Sequence, residues 1–208
     1  MSRRLGRLSA GVATTAVVFG AVAGLTAGTA SALAPYTTGK VAYMCNFPAI
    51  GQQQLDVTAK FDGPASVASG GAVTPANISG TATISATINA LLNSANYDGV
   101  RGKVNMPVTV TNATPASATV TNLDVPTQVT PYVPGARTFN IVQDAGTGVP
   151  TFTAGTPGSA TASLGTTISA PLEFHKKDGS WTAWSFNCTV KNTNPAQNRA
   201  FTPSITIT

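Results

Sequence analysis

Residues able to do chemistry are sparse in this chain of 208 residues, which holds one histidine, two cysteines and seven carboxylates. A serine hydrolase needs a base within reach of its nucleophile, and His175 alone could serve, yet no G-x-S-x-G elbow follows residue 32. His175 directly precedes "KKDGS" and reads as a histidine beside an exposed hairpin tip. A glycosidase needs two carboxylates about 5–10 Å apart, one in surroundings that raise its pKa. The acids are Asp56, Asp62, Asp98, Asp124, Asp144, Glu173 and Asp178. Three precede glycine, as in Asp62-Gly63, Asp98-Gly99 and Asp178-Gly179, where a tight turn accounts for them. Redox catalysis favours a C-x-x-C pair and metal binding needs three or four ligands, which two distant thiols and a lone imidazole do not supply. No D-x-D cluster, phosphate loop or dinucleotide motif is present. The sequence therefore predicts no catalytic residues, no metal site and no cofactor.

The elements that carry these residues read as short strands. Val41, Tyr43, Cys45 and Phe47 alternate with smaller or more polar neighbours, as do Leu55, Val57, Ala59 and Phe61, then Val104, Met106, Val108 and Val110. "ISAPLEFHKKDGSWTAWSFNCTV" predicts two strands around a turn, with Ile168, Ala170, Leu172 and Phe174 on one face and Trp184, Phe186, Cys188 and Val190 on the facing one. Both cysteines fall on inward faces, so Cys45 and Cys188 are expected to form one disulfide tying the first core strand to the last. "ATINALLNSANYDG" breaks the pattern with Ile88, Leu91 and Leu92 at helical spacing and predicts a short crossover helix. Trp181 lies an odd number of residues from Trp184 and is expected to face outward. With His175, Lys176 and Lys177 it makes a candidate binding surface that could stack on a sugar ring or anchor a protein partner.

Export is the expectation for the N-terminus. Arg3, Arg4 and Arg7 precede an apolar stretch that ends in Ala30-Ser31-Ala32, the pattern of a signal peptide cut after residue 32, with no membrane span in what remains. Residues 33–39 read as a linker, 40–191 as one β domain, and 192–208 as an extension that could add a strand. Charged residues are 9% of the chain, against about 25% in ordinary globular domains. Twelve basic residues face seven acidic ones, but three of the basic ones belong to the leader, so no nucleic-acid footprint is expected.

The segments "YMCNFPAIGQQQLDVTAKF", "GKVNMPVTV" and "DGSWTAWSFNCTV" together resemble a family of secreted β-sandwich domains of unknown function from Gram-positive, GC-rich bacteria. Its Cys-x-Phe-Pro opening, with Ile-Gly soon after, falls on Cys45, Phe47, Pro48, Ile50 and Gly51; its central glycine falls on Gly102 and its closing cysteine on Cys188. The resemblance implies an extracellular Ig-like module and brings no catalytic residues. The expected architecture is thus mostly β, a single Ig-like, Greek-key sandwich with one helical crossover and one disulfide. The expected function is a secreted, non-catalytic structural or binding module of the cell envelope, contacting wall glycan or another surface protein. A small secreted hydrolase using His175 is the alternative, and a secreted inhibitor or self-assembling surface protein is a further one.

Overall fold

A computed structural model describes residues 33–208; the expected signal peptide lies outside the described residues. The strands, in chain order, are β1 (Leu33–Thr38), β2 (Val41–Phe47), β3 (Gly51–Pro64), β4 (Ser66–Val67), β5 (Ala72–Val73) and β6 (Ala76–Ile84). The helix α1 (Ala86–Ser94) precedes β7 (Tyr97–Val110), β8 (Ala113–Thr114), β9 (Ser117–Val129), β10 (Arg137–Val142) and β11 (Phe152–Ala154). Then come β12 (Gly158–Ala160), β13 (Ala162–Leu164), β14 (Thr167–Lys176), β15 (Trp181–Val190), β16 (Phe201–Thr202) and β17 (Ile205–Ile207).

The main sheet runs β3-β2-β15-β14-β7-β9-β10-β6, and β6 then pairs back onto β3. Eight strands therefore close into a barrel, and the expected Ig-like sandwich is incorrect. The alternation that suggested a sandwich says only that each strand buries one face. It does not say whether a second sheet or the curled remainder of the same sheet covers that face. Strand length and irregularity decide between the two. β3 and β7 are 14 residues long and β9 is 13, long enough to wrap. Pairing slips along β7–β9 between Val100 and Gly102 and again between Val104 and Met106, and along β3–β6 between Lys60 and Asp62. Such bulges sharpen twist and curl a sheet toward closure.

The inward set is mostly the one the alternation predicts, although Val110, Trp184 and Val190, also expected inward, are only half-buried. Val41, Tyr43, Cys45, Phe47, Leu55, Val57, Ala59, Phe61, Met106, Ile168, Leu172 and Phe174 are all buried, each worth about 1.5–3 kcal/mol where a large apolar side chain leaves water. The outer wall is polar, carrying Asp56, Thr58, Lys60, Arg101, Lys103 and Asn105, the reverse of a membrane-spanning barrel. No helix among the described residues is long and apolar enough to cross a membrane.

The crossover helix is present. Ser85 caps it by accepting a hydrogen bond from the Ile88 amide at 3.2 Å, and Asn96, at φ 66°, turns the chain after it. Ile88 and Leu92 point into the barrel end. Residues 33–38, read as linker, are strand β1 on the outer edge of β3. The C-terminal extension supplies β16, paired with β1, and β17, which sits between β12 and β4.

The disulfide forms between Cys45 and Cys188, 143 residues apart in sequence and directly opposite each other on β2 and β15. Closing a loop of that length contributes roughly 5 kcal/mol at the upper end of the chain-entropy account. The Cys45→Ser/Cys188→Ser protein is expected to unfold at lower urea, by up to about 5 kcal/mol in an equilibrium melt. Tyr43, beside Cys45 in β2, donates its buried hydroxyl to the Gly165 carbonyl at 2.8 Å. Burial pushes its pKa up to about 12, against the opposing charge of Arg199. The unfolded phenol ionises near pH 10, so the folded state is undisturbed below that pH and loses stability as pH climbs toward 12, by as much as about 1.4 kcal/mol per unit. Urea melts between pH 9 and 12 should show this slope, and Tyr43→Phe should flatten it while losing about 1 kcal/mol of hydrogen bonding at neutral pH.

Candidate functional site

Pairing of β14 with β15 sets His175 opposite Trp181, and pairing of β14 with β7 sets it opposite Gly99. Because Leu172 and Phe174 point inward, Glu173 and His175 face out. The His175 Nδ1 lies 2.5 Å from the Asp98 Oδ1, and both side chains are only 17% exposed. A side chain at Gly99 would sit 2.9 Å from the His175 Cβ, so the glycine leaves the room in which His175 lies. Trp181 meets the imidazole edge-on at 4.8 Å between ring centres. The Arg101 guanidinium lies 4.1 Å above the indole, and its Nε donates to the Glu173 Oε2 at 2.6 Å. Lys176 stands 6.0 Å over the Tyr97 ring, and the Lys177 ammonium donates to the Asn93 carbonyl, which docks the hairpin on the end of α1.

Of the four residues singled out in sequence, His175 and Trp181 are in contact, whereas Lys176 turns to Tyr97 and Lys177 to the end of α1, each engaged by an internal partner. Asp98 and Arg101 complete the cluster and carry no local signal of it. Asp98-Gly99 reads as a turn, but it lies inside β7 and meets His175 across 77 positions. Asp62-Gly63 likewise lies inside β3, whereas Asp178 does sit in a turn, held below the usual carboxylate range by hydrogen bonds from the Ser180 hydroxyl and amide. Chemically, a carboxylate on Nδ1 fixes an imidazole tautomer or holds an imidazolium. Among the described residues no serine, threonine or cysteine side chain hydrogen-bonds that imidazole. No group of three or more potential metal ligands occurs among them either.

The opening motif builds the β2–β3 hairpin. Phe47 packs edge-on against Phe186 at 4.8 Å, Pro48 is buried, and the Ile50 amide bonds the Pro48 carbonyl at 2.8 Å. Ala49 and Gly51, at φ 63° and 74°, carry the chain through left-handed backbone, after which Gly51 pairs with Phe47. Gly102, at φ 140°, faces β14 so closely that a Cβ would lie 2.5 Å from the Pro171 carbonyl oxygen.

A second feature lies on the outer wall, where β3, β6 and β10 run side by side. A groove of about 460 Å³ is lined there by Thr38, Thr58, Lys60, Ser79, Thr81 and Asn140. The registers set Thr81 between Thr58 and Asn140, and Ser79 between Lys60 and Val142. Gly80 lets β6 approach β3, since a Cβ there would lie 2.5 Å from the Thr58 carbonyl oxygen. Thr58 and Thr81 share a hydroxyl hydrogen bond at 2.7 Å, while the Ser79 Oγ is buried without a partner. Lys60 has no carboxylate within 4.0 Å among the described residues, unlike Lys103, whose ammonium reaches Asp144 at 2.6 Å and Asp124 at 2.9 Å. These bonds raise the Lys103 pKa and lower that of Asp144. The groove has no signal in the sequence beyond the alternate polar positions Asp56, Thr58 and Lys60.

A family described as "Family of unknown function (DUF6801)" matches residues 42–202. Comparison with curated proteins and with solved structures returns no match. The match spans both disulfide cysteines and every motif residue described above. Gly102→Ala is expected to destabilise the barrel by about 2 kcal/mol or more, because it meets backbone as well as an unfavourable φ. A melt showing less than about 0.5 kcal/mol of change would contradict the tight β7–β14 approach.

Proposed function

The chain belongs to this family of unknown function, and we propose that it serves as a secreted, non-catalytic binding module of the cell envelope, seating a wall glycan in the groove across β3, β6 and β10. The observation that carries this reading is the groove's chemistry. The Thr58 and Thr81 hydroxyls and the Asn140 amide both donate and accept, as the hydroxyls of a sugar polymer do. Lys60 in the groove lining adds a cation for acidic substituents on such a polymer. The disulfide is compatible with an oxidising, exported setting, and the polar outer wall suits contact with hydrated polymer.

A second reading, a small hydrolase, draws on the 2.5 Å Asp98–His175 contact, the arrangement a general base requires. Against it, no hydroxyl or thiol nucleophile among the described residues is bonded to the imidazole, so water would have to serve.

Sedimentation of the purified protein with insoluble wall glycan separates the two. The native protein is expected to cosediment, and Thr58→Val/Thr81→Val and Lys60→Glu are each expected to weaken binding about tenfold, a loss typical of one or two removed polar contacts. Trp181→Ala should leave binding unchanged. Loss of binding in Trp181→Ala alone would move the site to the hairpin tip, and no cosedimentation of the native protein would remove the glycan reading. Glycan cleavage abolished by His175→Ala would establish the hydrolase instead.

A further inference from the structure

The large apolar side chains left on the surface are not scattered. Among the described residues Leu33, Leu91, Val129, Tyr132 and Val133 are exposed, and the last three fall within residues 129–133. They belong to the stretch "VTPYVPGA" that leads from the end of β9 to the start of β10, where Pro131 and Pro134 are exposed as well. Val133 is 68% exposed, the most of any of them. The stretch is nonetheless anchored. Asn89, buried on α1, donates its side-chain amide to the Val133 and Gly135 carbonyls, each at 3.0 Å, and the Thr130 amide donates to the Asp98 carbonyl at 3.2 Å. The two prolines fix φ on either side of Tyr132 and Val133. A short apolar loop is thus held in water in a fixed shape, and a clustered apolar patch of this kind marks a contact surface where single exposed side chains do not.

The neighbouring hairpin adds cations. Gly99 pairs with Val129 on one side and with His175 on the other, which sets the β14–β15 turn alongside the foot of the loop. Lys176 and Lys177 lead into that turn, and neither has a carboxylate within ion-pair distance among the described residues. The Lys177 ammonium rests on the Asn93 carbonyl of α1 at 2.9 Å, as Asn89 of the same helix holds the loop. The nearby acids are engaged, Asp98 by His175 and Asp178 by Ser180. Loop and hairpin therefore flank α1 with an apolar tip and two ammonium groups.

We infer that the α1 end of the barrel docks on an anionic lipid bilayer, with residues 129–134 entering the boundary between head groups and acyl chains and Lys176 and Lys177 meeting the head groups. Backbone polarity favours lipid. Unpaired N–H and C=O groups oppose entry into a bilayer, but Pro131 and Pro134 carry no N–H, and the Val133 and Gly135 carbonyls are already satisfied by Asn89. Tyr132 suits the boundary because its ring is apolar and its hydroxyl can stay among the head groups. Lysine stems reach from an apolar surface to a polar one, and each ammonium gains from a negative leaflet. Size disfavours a protein partner, since a stable protein interface covers roughly 800 Å² on each side and the exposed apolar side chains here are few. No residue of the loop lines the groove across β3, β6 and β10, so the inference stands without the glycan reading.

The test sediments the purified protein with vesicles of mixed phosphatidylcholine and phosphatidylglycerol, and with vesicles of phosphatidylcholine alone. The native protein is expected to bind the mixed vesicles saturably and the neutral ones about tenfold more weakly, with added salt narrowing the difference. Lys176→Gln/Lys177→Gln should lower binding to the mixed vesicles about tenfold and leave the neutral ones unchanged. Tyr132→Ser/Val133→Ser should lower both by about tenfold or more while the circular dichroism stays native, because only surface side chains change. In Tyr132→Trp, the emission added to that of the native protein should shift to the blue on binding and be quenched by brominated acyl chains. Failure of the native protein to bind the mixed vesicles would overturn the inference. So would undiminished binding by folded Tyr132→Ser/Val133→Ser, since the bilayer would then meet another face. A native dimer that this double variant dissociates, with no lipid bound, would overturn it too and make the loop a contact between copies.

Discussion

The structure depends on β3 being hydrogen-bonded along both of its edges. On one edge the first half of the strand pairs with β2 and the second half with β1; on the other, residues 56–62 pair with β6. The β3–β6 pairing turns an open sheet into a ring, and it joins segments that follow one another in the chain, so it forms at small loop-closure cost. The rest of the ring must then bring β14 and β15 back to β2 from the far end of the sequence. The Cys45–Cys188 bond locks that return at the β2–β15 seam. Local pairing thus closes one seam of the barrel and a covalent bond secures the most distant one.

Closure also separates two chemistries. With no open edge in the ring, every alternate residue is committed either to a dry interior or to a wet wall. The interior collects the aliphatic and aromatic side chains. The wall collects threonine, serine and asparagine, whose hydroxyls and amides pair across strands, as in Thr58 with Thr81 and Thr83 with Thr138. The high threonine content suits this wall, because a β-branched residue with a hydroxyl favours strand backbone and still presents a polar group to water.

How much of this was legible in the sequence follows from the range of each signal. The inward faces of β2, β3, β7 and β14, the α1 crossover, the hairpin turn after His175 and the disulfide all rest on spacing of two to four residues or on the presence of just two cysteines, and each is where the pattern put it. The barrel was not legible, because alternation is the same in a sandwich and in a ring. The bulges that curl the sheet leave only a faint trace, in Asn77 and Asn122, which hold left-handed conformations at two of them, and in Gly102, at positive φ beside the third. The Asp98 partner of His175 and the groove were hidden for the same reason. Both are made by strands adjacent in the sheet but far apart in sequence, and register, not composition, brings their side chains together.

Charge gives the outer surface its character. Each of the seven carboxylates is engaged from within: Asp56 by Lys40, Asp62 by Asn77, Asp98 by His175, Asp124 and Asp144 by Lys103, Glu173 by Arg101 and Asp178 by Ser180. Most of these contacts are at the surface, and each ion pair adds at most about 1 kcal/mol to stability. Their larger effect is on what a partner meets. The anions are neutralised or capped, while Lys60, Lys176 and Lys177 have no carboxylate within ion-pair distance among the described residues. A chain with few charges therefore shows its surroundings neutral hydroxyls relieved by isolated cations. Under the proposed glycan reading, such a surface repels neither a neutral polymer nor an acidic one. On that same proposal, recognition is hydrogen bonding over a broad face, with single ammonium groups favouring acidic substituents on the polymer.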